Sequence, residues 1–158
     1  MTLWRLLGVL FAMTVGCSKA EPSAGPVVEC PPAPATEALA AWLTNDCYRG
    51  WAANSAVSAS SMGPGGVRIF LNPVLARSIA SGDAPHPIGS AAVREMYDKD
   101  HVTRVGWSAS VKTPEGWFWF ERFDRLPHPS VASRAAPGCT GCHASGRDQV
   151  QTAGPLPD

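Results

Sequence analysis

Alternation of apolar and polar residues in the middle of the chain predicts four β-strands. The segment 67–71 places Val67, Ile69 and Leu71 on one face of an extended backbone. The same period of two recurs in three further segments, 91–97, 104–112 and 117–123. Because short connections join most of these segments, the strands are predicted to form an antiparallel meander.

Helical spacing of apolar residues frames this predicted sheet. Thr36 is a candidate N-cap, and a first helix is predicted to continue through Cys47 and Trp51 after a break near 45–46. A second helix is predicted to open at Asn72-Pro73 and to stop by Gly82, and a third, short one spans 131–135. The pattern as a whole predicts an α+β domain with helices packed on one antiparallel sheet.

The first residues have the pattern of an export signal. Arg5 precedes an apolar run at 6–15, which is too short for a membrane-spanning helix. The segment TVGC at 14–17 resembles the lipobox of bacterial lipoproteins, which predicts a lipid anchor on Cys17. Ser18 after this cysteine favours the outer membrane, facing the periplasm. The alternative is an ordinary signal peptide cleaved near Ala20.

These features divide the chain into three parts. Residues 1–16 are predicted to be a lipoprotein signal peptide, 17–35 a linker rich in Pro and Ala, and 36–158 one folded domain. The 13 Lys and Arg residues balance the 13 Asp and Glu residues. This balance gives no reason to expect a nucleic-acid partner.

Five cysteines are present, and each can be given a role. In an exported protein, Cys30 and Cys47 can form a disulfide, because the space outside the cytoplasm is oxidising. The alternative is two unpaired thiols at these positions. The last pair, Cys139 and Cys142, lies in a motif of its own.

Residues 139–143 have the pattern C-x-x-C-H, which is the attachment site of a c-type haem. Cys139 and Cys142 would form thioethers to one covalent haem c, and His143 would be an axial ligand of its iron. Half of a zinc site and a thioredoxin-like dithiol are the alternatives. Zinc sites, however, pair such motifs, and a dithiol pair precedes a long helix, for which few residues remain.

Six segments occur in an order that is typical of one family: CYRGW (47–51), VRIFLNP (67–73), GSAAVREM (89–96), SASVK (108–112), GWFWF (116–120) and the C-terminal motif. This order resembles the cytochrome P-460 family and its relative, the beta-type cytochrome c-prime. The resemblance implies a dimeric antiparallel β-sheet protein with one c-type haem, in which His143 is the proximal ligand. It also implies an open distal face that binds or oxidises small nitrogen ligands such as nitric oxide or hydroxylamine.

Two departures from the family bear on the distal side. A lysine that cross-links to the haem in P-460 members matches Arg94 here, and Arg is a poor nucleophile. The carboxylate used for proton transfer in hydroxylamine-oxidising members matches Ser108, and a hydroxyl is not a base at neutral pH. Arg94 is therefore a distal candidate for hydrogen bonding, and Arg68 is a second one. The alternative for Arg94 is a surface pair with Glu95 or Asp98.

The sequence leaves three functions open. The first is a membrane-anchored periplasmic cytochrome that binds a small gaseous or nitrogenous ligand, with an unidentified redox partner. The second is a six-coordinate electron carrier, in which Met96 would be the sixth ligand rather than a core residue. The third is a haem oxidoreductase that acts on hydroxylamine or nitric oxide. His86, His101 and His128 are predicted to be solvent-exposed rather than ligands.

Overall fold

The computed structural model describes residues 35–60 and 65–151, and three helices and seven strands lie in these ranges. All strand pairs are antiparallel, so the predicted α+β class is confirmed. The elements in chain order are α1 (Thr36–Thr44), β1 (Ala52–Ala53), β2 (Ser58–Ala59), β3 (Gly66–Leu71), α2 (Pro73–Ser81), β4 (Ala91–Tyr97), β5 (Arg104–Thr113), β6 (Gly116–Phe123), β7 (Val131–Ser133) and α3 (Pro137–His143).

The sheet is a meander with a helical connection near its start. Strands β3 to β7 lie side by side in chain order, and α2 connects β3 to β4. The four strands predicted from alternation correspond to β3, β4, β5 and β6. Strands β1 and β2 pair with opposite ends of β3. Alternation could not predict these two strands, because two residues are too few to show the period of two.

The two N-terminal helices follow the sequence signals to different degrees. In α2, the Asn72 side chain accepts a hydrogen bond from the Leu75 amide at 2.9 Å, and Gly82 ends the helix with a φ of 70°. This matches the prediction. In α1, the predicted continuation is wrong: the helix ends at Thr44, and Asp46 turns the chain with a φ of 53°. The turn brings the following aromatic residues back to the core.

The predicted helix at 131–135 is also wrong. Residues Val131–Ser133 form β7, which pairs with residues 119–121 of β6. The Ser130 amide donates to the Glu121 carbonyl at 2.8 Å and starts this pairing. Pairing with the preceding strand therefore overrides the local preference.

The two faces of the sheet differ in character. One face is packed by α1 and holds the main core, as alternation predicted for part of the aromatic set. The other face has small and polar residues on its central strands, and the C-terminal segment lies over it. The main core contains Leu39, Trp42, Leu43, Tyr48, Trp51, Phe70, Val93, Trp107, Phe118 and Phe120. The smaller cluster on the opposite face contains Trp117, Trp119 and Ala136.

Acid titration should report on the turn that connects β4 to β5. The Asp100 carboxylate accepts hydrogen bonds from the Thr103 hydroxyl at 2.6 Å and from the Val102 and Thr103 amides at 2.9 Å. These bonds, led by that of the hydroxyl, lower the pKa of Asp100 to about 2. Since the unfolded value is about 3.9, the stabilisation is complete above about pH 4 and is lost as the pH falls towards the folded-state pKa.

We therefore expect the stability difference between wild type and Asp100→Asn to shrink as the pH falls from about 5 towards about 2. Urea unfolding at several pH values measures this difference. A difference that stays constant across this range would contradict the assignment.

Candidate functional site

A cavity of about 930 Å³ lies between the second face of the sheet and the C-terminal segment. Its sheet side is formed by β3, β4, β5 and β6, and its opposite side by α3 and residues 149–151. This volume falls in the range of small-molecule and cofactor sites, roughly 300–1,000 Å³. The cavity is therefore the candidate site for the chemistry of the C-x-x-C-H motif.

Helix α3 carries the whole motif. Pro137 occupies its first turn, and the Cys139 and Thr140 amides both donate to the Ala136 carbonyl at 2.9 Å. Because Cys139 and Cys142 are three residues apart on a helix, their side chains share a face. Both line the cavity as unbonded thiols. The structure thus brings together the two predicted attachment residues.

His143 lines the same cavity, and its ring is held from behind. Its Nδ1 donates a hydrogen bond of 2.8 Å to the Gln149 carbonyl. The ring also packs against Trp119, with 4.7 Å between the two ring centroids. With Nδ1 bound, Nε2 is the nitrogen that can coordinate a metal. This arrangement fixes both the tautomer and the orientation of the imidazole.

The two alternative interpretations of the motif find less support in this geometry. Among residues 35–60 and 65–151, no three His, Cys, Asp or Glu side chains are grouped to hold a metal ion. A thioredoxin-like pair needs a lowered thiol pKa. Burial, Glu121 and Cys142 instead raise the pKa of Cys139. Moreover, α3 has only seven residues and ends at His143.

Arg94, the first distal candidate, lies on β4 and lines the cavity. Its Nη2 donates to the Ser60 hydroxyl at 2.9 Å. Burial lowers the pKa of the guanidinium, while the charge of Glu121 acts in the opposite direction. An arginine remains protonated at neutral pH in either case. The cavity therefore has a cation on its sheet side, opposite the motif.

The carboxylate of Glu121 was not predicted to belong to the site. Strand register aligns Arg94 with Ser108 and Ser108 with Glu121, so the three form a row across β4, β5 and β6. All three line the cavity. Glu121 also accepts a hydrogen bond of 2.8 Å from the Ser130 hydroxyl. Alternation along β6 predicts that Glu121 lies on the same face of the sheet as Trp119. Only the register of the meander places Glu121 beside Ser108.

Arg68, the second distal candidate, does not line the cavity. It pairs in register with Glu95, a residue of the opposite sheet face. Its Nε donates to the Asn54 carbonyl at 2.9 Å, and its guanidinium lies 5.1 Å from the centre of the Phe70 ring. The structure therefore separates Arg68 from Arg94.

The other candidate iron ligands are not among the described residues that line the cavity. Met96 is buried but does not line it. His101 and His128 are exposed, as predicted. The prediction for His86 is wrong: this residue is 4% exposed, and its Nδ1 lies 2.8 Å from the Ser78 hydroxyl. Among the described residues that line the cavity, His143 is the only histidine and none is a methionine.

Two residues with predicted roles lie outside the described parts of the chain. These are the lipid-anchor candidate Cys17 and the disulfide candidate Cys30. Cys47, the predicted disulfide partner of Cys30, is exposed on the turn after α1. The anchor and the disulfide stay predictions. Within the described residues, no helix is long and apolar enough to cross a membrane.

The donor set of the cavity fits a c-type haem. Two thiols on one helix face are available for thioethers, and a neighbouring imidazole has one nitrogen fixed by a carbonyl. Apolar side chains, including Ile69 and Leu71, line the cavity wall, and Arg94 offers a cation to a bound anion or a propionate. No family model and no curated protein matches the chain. The functional assignment therefore depends on the residues themselves.

Proposed function

We propose that this chain is a mono-haem c-type cytochrome that binds a small ligand, nitric oxide or a related nitrogen species. Cys139 and Cys142 would hold the haem, and His143 would be its axial ligand. One observation carries the proposal: the three side chains of the motif line one cavity whose opposite wall is a sheet face with Arg94. Bound haem would supply an iron coordination position for the ligand.

Ligand binding is favoured over electron transfer by the composition of the cavity wall. A six-coordinate carrier needs a second strong iron ligand, usually His or Met. In residues 35–60 and 65–151, the wall offers no such side chain besides His143. The sheet side offers instead a small hydroxyl residue, Ser108, between two charged ones, Arg94 and Glu121. These are groups that can hydrogen-bond a ligand.

The setting of the site follows from the sequence patterns. We propose that the protein is exported, is anchored by lipid on Cys17 and faces the periplasm, in keeping with the assembly of c-type haem outside the cytoplasm. The resemblance to the P-460 and c-prime-beta families supports a homodimer and a nitrogenous ligand.

An optical spectrum separates ligand binding from electron transfer. Purified ferrous protein should have a high-spin spectrum that changes when carbon monoxide or nitric oxide is added. A low-spin ferrous spectrum that carbon monoxide does not alter would contradict the proposal and favour the carrier.

Arg94→Ala should weaken the binding of an anionic ligand such as nitrite to the ferric protein by about ten- to a hundred-fold. This range corresponds to the loss of one charge-assisted hydrogen bond, roughly 1.5–3 kcal/mol. Carbon monoxide is neutral, so its affinity for the ferrous protein should change less. Equilibrium titrations followed by absorbance measure both affinities.

Arg68→Ala is the matched control for this experiment. It removes the same type of side chain from the neighbouring strand, but on the sheet face that lies away from the cavity. Its nitrite affinity should equal that of the wild type. Equal affinities for Arg94→Ala and wild type would remove Arg94 from the ligand site.

A second candidate function, oxidation of hydroxylamine or nitric oxide, is favoured by Glu121. This carboxylate lies in the row beside Ser108, the position that lacks the family's proton-transferring carboxylate. It is placed to accept a proton from a ligand bound in the cavity. Turnover of hydroxylamine with an added electron acceptor should fall in Glu121→Gln. Absence of turnover in the wild type would leave ligand binding as the function.

A further inference from the structure

We propose that Asp148 is a positioning residue for the proximal ligand: it anchors the turn whose Gln149 carbonyl holds His143. The inference deepens the proposed function and rests on it. Asp148 is not part of the C-x-x-C-H motif, and it does not line the cavity. It would act only through the adjacent backbone.

Three other parts of the chain converge on the Asp148 carboxylate. The Lys112 ammonium, at the end of β5, donates to both of its oxygens at 2.8 Å. The His86 amide donates at 2.8 Å, and the Trp117 indole on β6 at 3.4 Å. Only 15% of the Lys112 side chain and 18% of the Asp148 side chain are exposed. A salt bridge with this little exposure is screened less by water and salt than a surface pair.

The anchored segment is a tight turn with an unusual backbone. Asp148 and Gln149 have φ values of 46° and 68°, and Arg147 and Val150 form a β-bridge around them. Two successive positive φ values are typical of a type I′ turn, in which Asn-Gly is the preferred pair. A non-glycine residue such as Gln149 adopts this region only where its surroundings impose it. The contacts of Asp148 supply that constraint.

The rest of the segment is fitted closely to the motif. A Cβ added at Gly146 would lie 2.5 Å from the Val150 carbonyl group, so only glycine allows this approach. The Gln151 side chain donates to the Cys142 carbonyl at 2.7 Å. In contrast, Oε1 of Gln149 is buried without a hydrogen-bond partner among the described groups. The backbone carbonyl of Gln149 is therefore the group that the turn presents.

The hydrogen bond between the Gln149 carbonyl and His143 links the turn to the chemistry of the proximal ligand. A hydrogen bond accepted from Nδ1 makes the imidazole a stronger donor at Nε2 and fixes the ring plane. Hydrogen bonding around an axial ligand is one of the ways in which a protein sets the reduction potential of a haem. Loss of the anchor should weaken the bond between iron and His143 and favour the ferrous state.

The test compares haem-loaded wild type with Asp148→Gly and Asp148→Asn. Glycine removes the carboxylate without a penalty at positive φ, whereas asparagine tolerates the same φ and keeps one acceptor oxygen. Resonance Raman of the ferrous protein measures the iron–histidine stretch, and spectroelectrochemistry measures the potential. Asp148→Gly should show a lower stretching frequency and a higher potential, and Asp148→Asn should remain closer to wild type.

A second pair of variants tests the Gln149 carbonyl, through which Asp148 is proposed to act, if Asp148→Gly does not fold. Gln149→Pro cannot adopt a positive φ and must move the carbonyl, whereas Gln149→Gly keeps the backbone and loses only the side chain. The proline variant alone should show the two spectroscopic changes. A merely structural role would lower the urea midpoint without changing either.

Haem-loaded variants with wild-type frequency and potential would overturn the role of Asp148 and leave the proposed function standing. A wild-type protein without haem would overturn both.

Discussion

Replacing Glu95 with alanine should lower the free energy of unfolding by roughly 2–6 kcal/mol, because two buried phenols would each lose a carboxylate acceptor, at a cost of about 1–3 kcal/mol each. Glu95 is 0% exposed. Its two oxygens accept hydrogen bonds of 2.6 Å from Tyr48 and Tyr97, and Arg49 lies 2.8 Å away. Alanine would remove the acceptor of the Tyr97 phenol and the closest carboxylate of Arg49. It would leave the Tyr48 phenol only the longer contact of 3.2 Å to Asp46.

Urea unfolding followed by circular dichroism measures this effect. Glu115→Ala is the control, because Glu115 is exposed and its pair with Arg134, at 3.1 Å, lies at the surface. That variant should lose far less stability, because water screens an exposed ion pair. Glu95→Gln should fall between the two, since the amide keeps an acceptor oxygen but not the charge. Equal unfolding midpoints for Glu95→Ala and Glu115→Ala would contradict the account of the buried network.

The same network explains why the phenol of Tyr48 stays neutral. Burial and the hydrogen bond to Glu95 raise the pKa of Tyr48 well above its ordinary value. The Trp107 indole donates to the Tyr48 oxygen at 2.8 Å. Glu95 directly follows Arg94 on β4, and Trp107 directly precedes Ser108 on β5. Since successive residues of a strand point to opposite faces, the network lies on the face of the sheet opposite the cavity.

The second large effect is expected at the motif. The double variant Cys139→Ser, Cys142→Ser should yield no covalently bound haem, because both thioether positions are lost while the size of the side chains is nearly kept. The readout is haem-dependent peroxidase staining of the polypeptide after denaturing electrophoresis. The wild type should stain, and the double variant should not.

Cys47→Ser provides the matched control, since Cys47 is exposed and remote in sequence from the motif. It should retain full haem staining. Staining of the double variant equal to that of wild type would mean that haem attaches elsewhere. Loss of staining in Cys47→Ser would show that replacing a cysteine outside the motif, and with it the predicted disulfide to Cys30, also impairs maturation.

The sheet was predictable wherever local pattern determines structure. Alternation identifies β3 to β6, because one face of each strand packs in the main core and the other faces the cavity. The segment at Val131–Ser133 was mistaken for a helix because its structure is imposed by pairing with β6. No local pattern in three residues carries that information.

The site was predictable only as far as its motif. Cys139, Cys142 and His143 are recognisable from their spacing alone, whereas Arg94 was suggested by the resemblance to the P-460 family. The register of β5 and β6 places Glu121 beside Ser108. Gln149 belongs to the site through its backbone carbonyl, which lies in a left-handed turn and binds His143. Every residue has a backbone carbonyl, so the sequence does not indicate which one accepts the hydrogen bond from His143. The Gln149 carbonyl could therefore not be predicted.

The most direct test of covalent haem attachment is the mass of the denatured wild-type protein, matured in a host with an active cytochrome c assembly system. The predicted result is a coloured protein whose mass exceeds that of the mature polypeptide by one haem. A colourless protein at the mass of the polypeptide alone would contradict the account.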